Sequence, residues 1–177
     1  MTRRRKRPPT SLALPAEICP VENVRQYLEF VSSHVNSLGP RFEGLVLEHG
    51  REFTPGALPA GVERGNLGEC FMNAGKIVLD DPETYAYAEG WAGLHIPVHH
   101  AWVVERRTGL ALEVTWEQPG TYIGIVFDYR WLLRYLCTSR VWGVFYNGLK
   151  SSAALLEPGA PLTWIDPLSR PERNISC

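Results

Sequence analysis

The chain contains few cysteines, and none are spaced as metal ligands. Its 177 residues include four, at Cys19, Cys70, Cys137 and Cys177, with no Cys-x-x-Cys pair and no close His-Cys pattern. This spacing argues against a zinc site, and so few cysteines in a chain of this length argue against a disulfide framework. We therefore expect a reduced, cytoplasmic protein without a metal ion.

Long apolar segments and nucleotide-binding loops are also missing. No apolar run approaches the roughly 18 residues that a membrane-spanning helix needs. The basic start is followed by the proline-broken "PPTSLALPAEICP" rather than by the apolar core of a signal peptide. Neither GxGxxG nor GxxxxGK[ST] occurs, so no phosphate-binding loop is expected. The sequence thus predicts no membrane association and no cofactor.

Positive charge is concentrated at the start of the chain. Residues 3–7, "RRRKR", hold five of the 18 Lys and Arg residues, which leaves 13 against 19 acidic residues and a net charge of −6 for the rest. An acidic body disfavours nucleic acid as a partner. We expect residues 1–19 to form an extended, proline-rich and solvated arm, with an electrostatic anchor for nucleic acid or for an acidic partner as the alternative. Residues 20–177 are expected to form a single domain.

Hydrophobic periodicity predicts an α+β domain. Apolar residues at steps of three and four predict helices at 20–39, 70–82 and 129–137. Runs rich in aromatic and β-branched residues predict strands at 42–50, 85–92, 96–107, 110–116, 121–127 and 141–148. Residues 51–68 are rich in proline and glycine and are expected to form a loop. Strands that follow one another in the chain favour a mostly antiparallel sheet.

Cys70 lies where this loop meets the second predicted helix. The dipole and free N–H groups of a helix start favour a thiolate, so a lowered thiol pKa is expected there. Nucleophilic chemistry also needs an imidazole and a group that orients it. The candidate imidazoles, His95, His99 and His100, share one segment. A catalytic thiol is therefore one hypothesis, and an ordinary packed cysteine is the other.

Strand geometry separates these histidines. Side chains alternate between the two faces of a sheet, so His100 and Trp102 share a face and His99 points to the other. On that shared face Trp102 is expected either to shield a bond between His100 and a carboxylate from water or to pack in the core.

Two carboxylates follow in the next predicted strand. A turn at 108–109 would place Glu117 opposite His100, whereas a turn centred on 106–107 would place Glu113 there. Both registers keep Glu113 on the His100 face, because a shift of two residues preserves the face. Parity thus supports Glu113 and turn chemistry favours Glu117, so both remain candidates.

Four segments in order, "GECFMNA", "YAYAEGWA", "HHAWVV" and "LEVTW", resemble the core of the transglutaminase-like and papain-like thiol enzymes. The resemblance covers about residues 65–127. It implies a cysteine-bearing helix packed on a mostly antiparallel sheet, with Cys70 as nucleophile, His100 as base and Glu113 as the orienting acid. The family usually has Asp rather than Glu at this last position.

The same family often has a side-chain amide that helps to hold an oxyanion. Asn66 and Asn73 are the nearby amides and are candidates for oxyanion binding or for shaping the site. The backbone N–H of Cys70 is another natural donor.

The expected function is that of a cysteine peptidase, amidase or transglutaminase-like enzyme that attacks amide or acyl carbons through a thioester. Protein or peptide substrates are expected. The alternative is a non-catalytic protein-binding module on the same fold, in which the thiol is inert.

Overall fold

The computed structural model describes residues 23–34, 42–93, 97–118, 120–145, 155, 157, 159 and 161–169. Several predicted features lie outside the described residues: the arm at 1–19, His95, the end of the last predicted strand at 146–148, and both Cys19 and Cys177.

The described residues form four α-helices and six strands. The helices are α1 (Val24–His34), α2 (Phe42–His49), α3 (Cys70–Asp80) and α4 (Tyr129–Ser139). The strands are β1 (Arg51–Phe53), β2 (Pro55–Gly56), β3 (Tyr85–Gly93), β4 (Val98–Glu105), β5 (Ala111–Leu112) and β6 (Thr121–Val126). A short 3-10 turn spans Pro167–Ser169.

The six strands form one sheet in the order β1-β6-β3-β4-β5-β2. Every neighbouring pair is antiparallel except β2 and β5, which run parallel. The prediction of an α+β domain with a mostly antiparallel sheet is therefore confirmed.

Helix α3 covers one face of this sheet. Its buried residues Ala74 and Val78 belong to the same apolar cluster as Ala101 and Val103 of β4. The opposite face of β4 carries Trp102, which belongs to a second cluster. Alternation along β4 thus places odd-numbered residues under α3 and even-numbered residues on the far face. The separation of His99 from His100 confirms the predicted alternation, whereas the face that α3 covers was not predicted.

Gly75 lies in the middle of α3, where glycine weakens a helix. A Cβ atom at this position would lie 2.4 Å from Cζ3 of Trp142. The glycine thus allows the Trp142 ring, which follows α4, to pack directly on the backbone of the cysteine-bearing helix.

The strand predicted at 42–50 is wrong, because this segment forms the helix α2. Its residues Phe42, Leu45 and Val46 are spaced for one helical face, and they pack with the main apolar cluster. Phe42 also stacks on Phe145, with ring centroids 4.7 Å apart. A short apolar run is compatible with either element, and these tertiary contacts select the helix.

The loop predicted at 51–68 contains two short strands, β1 and β2, and is irregular after Gly56. The strand predicted at 141–148 is not formed in its described part, 141–145. There the N–H groups of Val144 and Phe145 donate to the side chain of Glu89. Backbone donors satisfied by a carboxylate do not take part in a strand ladder.

The helices of the described segments include none with both the length and the apolar character required to cross a membrane.

Candidate active site

Cys70 is the first residue of α3 and is 9 % exposed. The preceding residue, Glu69, is the N-cap, but its side chain makes no capping hydrogen bond. Its carboxylate instead accepts from the side-chain amide of Asn66 at 3.0 Å. The predicted position of Cys70 at the start of a helix is therefore confirmed.

The thiol of Cys70 lies at a gap in the sheet. Strand β5 is two residues long and pairs only with the second half of β4. Glu105 donates its N–H to Leu110 across that edge, and every second residue of a strand faces the same edge, so the N–H of Ala101 faces it too. Beyond the end of β5, the Cys70 thiol lies close enough to Ala101 for the backbone of Ala101 to favour the thiolate.

The pKa of the Cys70 thiol is raised, so the prediction of a lowered pKa is wrong for this state of the protein. Burial is the largest cause, and the charges of Glu89 and Glu113 add to it. Backbone hydrogen bonds from Ala101 and Phe71 act in the opposite direction but do not outweigh burial. A neutral thiol is thus favoured, and attack on a carbonyl requires a base that removes its proton.

His100 and Glu113 form a buried pair. The His100 Nε2 atom lies 3.0 Å from Oε2 and 3.3 Å from Oε1 of Glu113, and both side chains are about 3 % exposed or less. Since an ionised carboxylate only accepts hydrogen bonds, Nε2 carries the donated proton. The other ring nitrogen, Nδ1, is then the proton acceptor of the neutral imidazole.

Four donors surround the Glu113 carboxylate. Besides His100, the Tyr122 hydroxyl donates at 2.7 Å, and the N–H groups of Thr115 and Trp116 donate at 2.8 and 2.9 Å. Burial pushes the pKa of Glu113 upward, but the hydrogen bond and charge of His100, with help from Trp116 and Tyr122, hold it below its ordinary value. Burial next to this carboxylate raises the pKa of Tyr122, which keeps its phenol a donor.

These backbone bonds also explain why the strand predicted at 110–116 stops at Leu112. Glu113 uses its own side chain to bind the N–H groups of Thr115 and Trp116. The chain therefore turns away from β4 and leaves the gap that the thiol occupies.

The His100 ring is held between its carboxylate and an aromatic ring. Trp116 stacks on it with centroids 3.8 Å apart and planes inclined by 15°. Of the two roles expected for Trp102, shielding of His100 or packing in the core, the structure supports packing. Trp102 is fully buried and packs against Phe53 and Tyr122 instead.

Glu113, rather than Glu117, is the partner of His100. The hairpin pairs Val104 with Ala111. This register lies midway between the two alternatives, a turn at 108–109 and a turn centred on 106–107, so both predicted turns are wrong. The shared parity of the two alternatives nevertheless holds, and it places Glu113 on the His100 face. Glu117 is exposed.

The two candidate amides bind groups of the loop before Cys70 and of the segment after Glu113. Asn73 is buried, and its Nδ2 group donates to the backbone oxygen of Asn66 at 2.9 Å and to the Thr115 hydroxyl at 3.0 Å. It therefore ties the loop before Cys70 to the segment that carries Glu113. The Asn66 side chain, bonded to Glu69, is exposed.

A second His–Glu pair lies on the opposite face of β4. Glu89 is completely buried, and its Oε1 atom lies 2.9 Å from Nε2 of His99. Tyr87 donates its hydroxyl to Glu89 at 2.9 Å. The His99 ring contacts Phe71, the residue after the cysteine, with centroids 5.1 Å apart.

The structure therefore joins His100 to Glu113 directly and places Cys70 against Ala101, the residue after His100. Among the described residues, the groups that lower the pKa of the thiol are the backbones of Ala101 and Phe71, and the His100 ring is not one of them. Sequence reasoning missed Trp116 and Tyr122 as parts of the site. Tyr122 gives no local signal, because its strand β6 pairs with β3 and β1 rather than with the hairpin.

Comparison with known proteins adds no relative, since no family model, curated protein or solved structure matches this chain. Function is therefore inferred from the geometry of the site and from the sequence motifs.

Replacing Glu113 with glutamine is expected to flatten the loss of stability in acid. A carboxyl with a lowered pKa in the folded protein stabilises it above the unfolded value of about 4.3, and this contribution is lost as the pH falls through the folded pKa. Urea unfolding between about pH 6 and pH 3 should show a steeper decline for the wild type than for Glu113→Gln. Glu117→Gln is the matched control, and wild-type and Glu113→Gln curves that run parallel would contradict the assignment.

Proposed function

We propose that this protein is a thiol-dependent hydrolase or acyltransferase with a papain-like or transglutaminase-like core. Its substrates are amides or acyl groups of peptides or proteins. Cys70 is the nucleophile, His100 the base and Glu113 the acid that orients the imidazole. The observation that carries the proposal is the buried His100–Glu113 pair, next in β4 to Ala101, whose backbone interacts with the thiol of the helix-start cysteine.

Geometry supports the role of His100 as a base. Its Nε2 proton is fixed by a carboxylate that four donors keep ionised, so Nδ1 is left to accept a proton. Stacking on Trp116 restrains the ring plane. An oriented base is needed here because the raised pKa of Cys70 leaves the sulfur protonated.

The proposed mechanism requires contact between the Cys70 sulfur and Nδ1 of His100 in the substrate complex. Helix α3 packs on the face of β4 opposite to His100, but the thiol interacts with the backbone of Ala101, the residue next to His100. Catalytic hydrogen bonds are often long or poorly aligned without substrate and tighten in the complex.

The reaction proceeds in two steps. In the first, Nδ1 of His100 takes the thiol proton as sulfur attacks the carbonyl carbon, and the imidazolium then protonates the leaving amine as the C–N bond breaks. This gives a thioester on Cys70. In the second, water or an acceptor amine loses a proton to His100 and attacks the thioester, the C–S bond breaks, and the sulfur regains the proton.

The backbone N–H of Cys70 is the proposed donor to the developing oxyanion. It lies at the start of α3, where the helix dipole favours negative charge. Asn66 and Asn73 already bind other groups of the loop, so they act by holding that loop in place.

A thiol nucleophile must stay reduced, and we propose a cytoplasmic location on this basis. Cys70 and Cys137, the two cysteines of the described segments, are both free thiols. The basic arm at 1–19 is proposed to contact an acidic partner.

The proposal predicts a thioester on Cys70 during turnover of amide substrates. Peptide amides and glutamine amides, incubated with the protein and quenched in acid, should leave an acyl group on the Cys70 peptide in mass spectrometry. Hydroxylamine, added as an acceptor amine, should divert the acyl group to a hydroxamate, and its yield against the free acid separates acyl transfer from hydrolysis.

Cys70→Ala should abolish both products, whereas Cys137→Ala, which removes an exposed thiol on α4, should turn over like the wild type. Turnover that persists in Cys70→Ala would refute a thiol mechanism. Binding of peptides without any acylated Cys70 would favour the non-catalytic binding module.

A further inference from the structure

Arg64 lies in the loop six residues before Cys70, and its guanidinium is oriented by a single bond. Its Nε group donates to the backbone oxygen of Trp116 at 2.7 Å. Trp116 is the residue whose ring stacks on His100. Arg64 is therefore linked to the proposed base, His100, through one intervening residue, Trp116. The Arg64 side chain itself is exposed.

The loop that carries Arg64 is fixed to the site at two further points. Gly65 donates its N–H to the backbone oxygen of Val114 at 2.9 Å. The next residue, Asn66, is bound through its backbone oxygen by the side chain of Asn73, which also holds Thr115. Residues 64–66 thus follow the segment 114–116, so the backbone that carries the guanidinium is anchored.

The positive charge of Arg64 has no acidic partner among the described residues. By contrast, Arg25, Arg106 and Arg107 each pair with a carboxylate. The bond from Arg64 to the backbone oxygen of Trp116 uses Nε, so the two terminal nitrogens remain for a ligand. They present the paired donors that match a carboxylate. The charge also acts on the site itself, since it works against the raised pKa of Tyr122, the phenol that donates to Glu113.

We propose that Arg64 is a specificity-determining residue that binds a carboxylate of the substrate, so that amides bearing an acidic group next to the reacting carbonyl are preferred. The role of Arg64 in substrate choice rests on the proposed function. The geometric core is the juxtaposition of an anchored, unpaired guanidinium with the Cys70–His100–Glu113 site.

Charged and neutral alkylating reagents of equal shape test this without any need for turnover. N-iodoacetylglycine offers a terminal carboxylate and N-iodoacetylglycinamide is its neutral counterpart. An N-iodoacetyl-aspartic acid α-amide offers a side-chain carboxylate and the asparagine analogue is its counterpart. Each reagent alkylates Cys70 at about pH 9, where even an unassisted thiol is partly ionised.

The measured quantity is the ratio of the Cys70 alkylation rates for the anionic and the neutral reagent of each pair. For at least one pair, Arg64→Gln should lower this ratio about five- to tenfold, since charge-assisted bidentate bonds are the strong class of hydrogen bond. Arg64→Lys should retain part of the preference, because it keeps the charge but loses the fork. The pair that responds identifies the carboxylate as terminal or side-chain.

Arg107→Gln is the matched control, because Arg107 is exposed at the hairpin turn and its ion pair among the described residues is a surface pair with Glu105. An unchanged ratio in Arg64→Gln for both pairs, or an equal fall in Arg107→Gln, would overturn the assignment. Alkylation does not depend on hydrolysis, so the result stands apart from the test of the thioester.

Discussion

Replacing Glu89 with glutamine is expected to lower the free energy of unfolding by about 3–5 kcal/mol, the range found when one partner of a buried charged network is removed. Glu89 is completely buried in β3. Its two oxygens accept from Val144 N–H and Phe145 N–H, each at 2.6 Å, and from the Tyr87 hydroxyl. His99 lies 2.9 Å away.

Glutamine keeps the shape but replaces one acceptor oxygen with an N–H₂ donor. That donor would face groups that are themselves donors, and an unsatisfied buried donor carries the full penalty of its desolvation. The backbone at 144–145, which packs through Phe145 on α2, would lose its attachment to the sheet. The effect therefore extends from one side chain to the contact between the sheet and the segment after α4.

Chemical denaturation and the midpoint of thermal unfolding, which should fall by about 10 °C for a chain of this size, measure the change. Glu52→Gln provides the matched control: it makes the same chemical change at an exposed pair with Arg25, where a loss of at most about 1 kcal/mol is expected. Equal stability losses in Glu89→Gln and Glu52→Gln would mean that the buried network contributes nothing.

Replacing His100 with alanine is expected to slow acylation of Cys70 at neutral pH by about 10²–10⁴-fold, the usual contribution of a positioned general base. The raised pKa of the Cys70 thiol makes the effect large, because burial and the charges of Glu89 and Glu113 leave little thiolate without a base. Stopped-flow release of p-nitrophenolate from p-nitrophenyl acetate measures the acylation rate.

The pH profile distinguishes loss of the base from a loss of fold. Without His100, only the thiolate reacts, so the rate should climb about tenfold per pH unit until the raised thiol pKa is passed. A merely unfolded variant would instead behave as an ordinary exposed cysteine with a pKa of about 8.5.

His99→Ala is the matched control for His100→Ala, since the two histidines are neighbours with separate carboxylates, Glu89 and Glu113. Removal of His99 should reduce stability while leaving the acylation rate within about threefold, because His99 pairs with Glu89 and not with Glu113, the carboxylate that orients the proposed base. A larger loss of acylation rate in His99→Ala than in His100→Ala would mean that His99, and not His100, is the base.

Local pattern was sufficient for much of the scaffold of the site. Helical spacing placed α3 with Cys70 at its start, and alternation along β4 separated His99 from His100. The observed register differs from both predicted alternatives by two residues. A shift of two residues keeps every side chain on its face, so the prediction that Glu113 shares the His100 face holds although neither register was correct.

What could not be predicted depends on contacts between distant segments. Strand β5 ends early because Glu113 binds the backbone of Thr115 and Trp116. The segment at 141–145 forms no strand because Glu89 captures its N–H groups from 55 and 56 residues away. In both places a buried carboxylate accepts the backbone hydrogen bonds that a neighbouring strand would otherwise accept. The strand propensity of the residues does not predict this.

The raised pKa of Cys70 has the same origin. The helix start favours a thiolate, but the degree of burial and the approach of Glu89 and Glu113 exist only after folding. The sequence therefore placed Cys70 correctly at the helix start but predicted the wrong direction of its pKa shift, and the proposed mechanism then depends more strongly on an oriented base.

Intact-protein mass spectrometry after brief exposure to p-nitrophenyl acetate at neutral pH tests the central claim most directly. The account predicts a single acyl group, located on Cys70 by peptide mapping, in the wild type and almost none in His100→Ala over the same interval. Acylation of the exposed Cys137 ahead of Cys70, or equal acylation of Cys70 with and without His100, would contradict it.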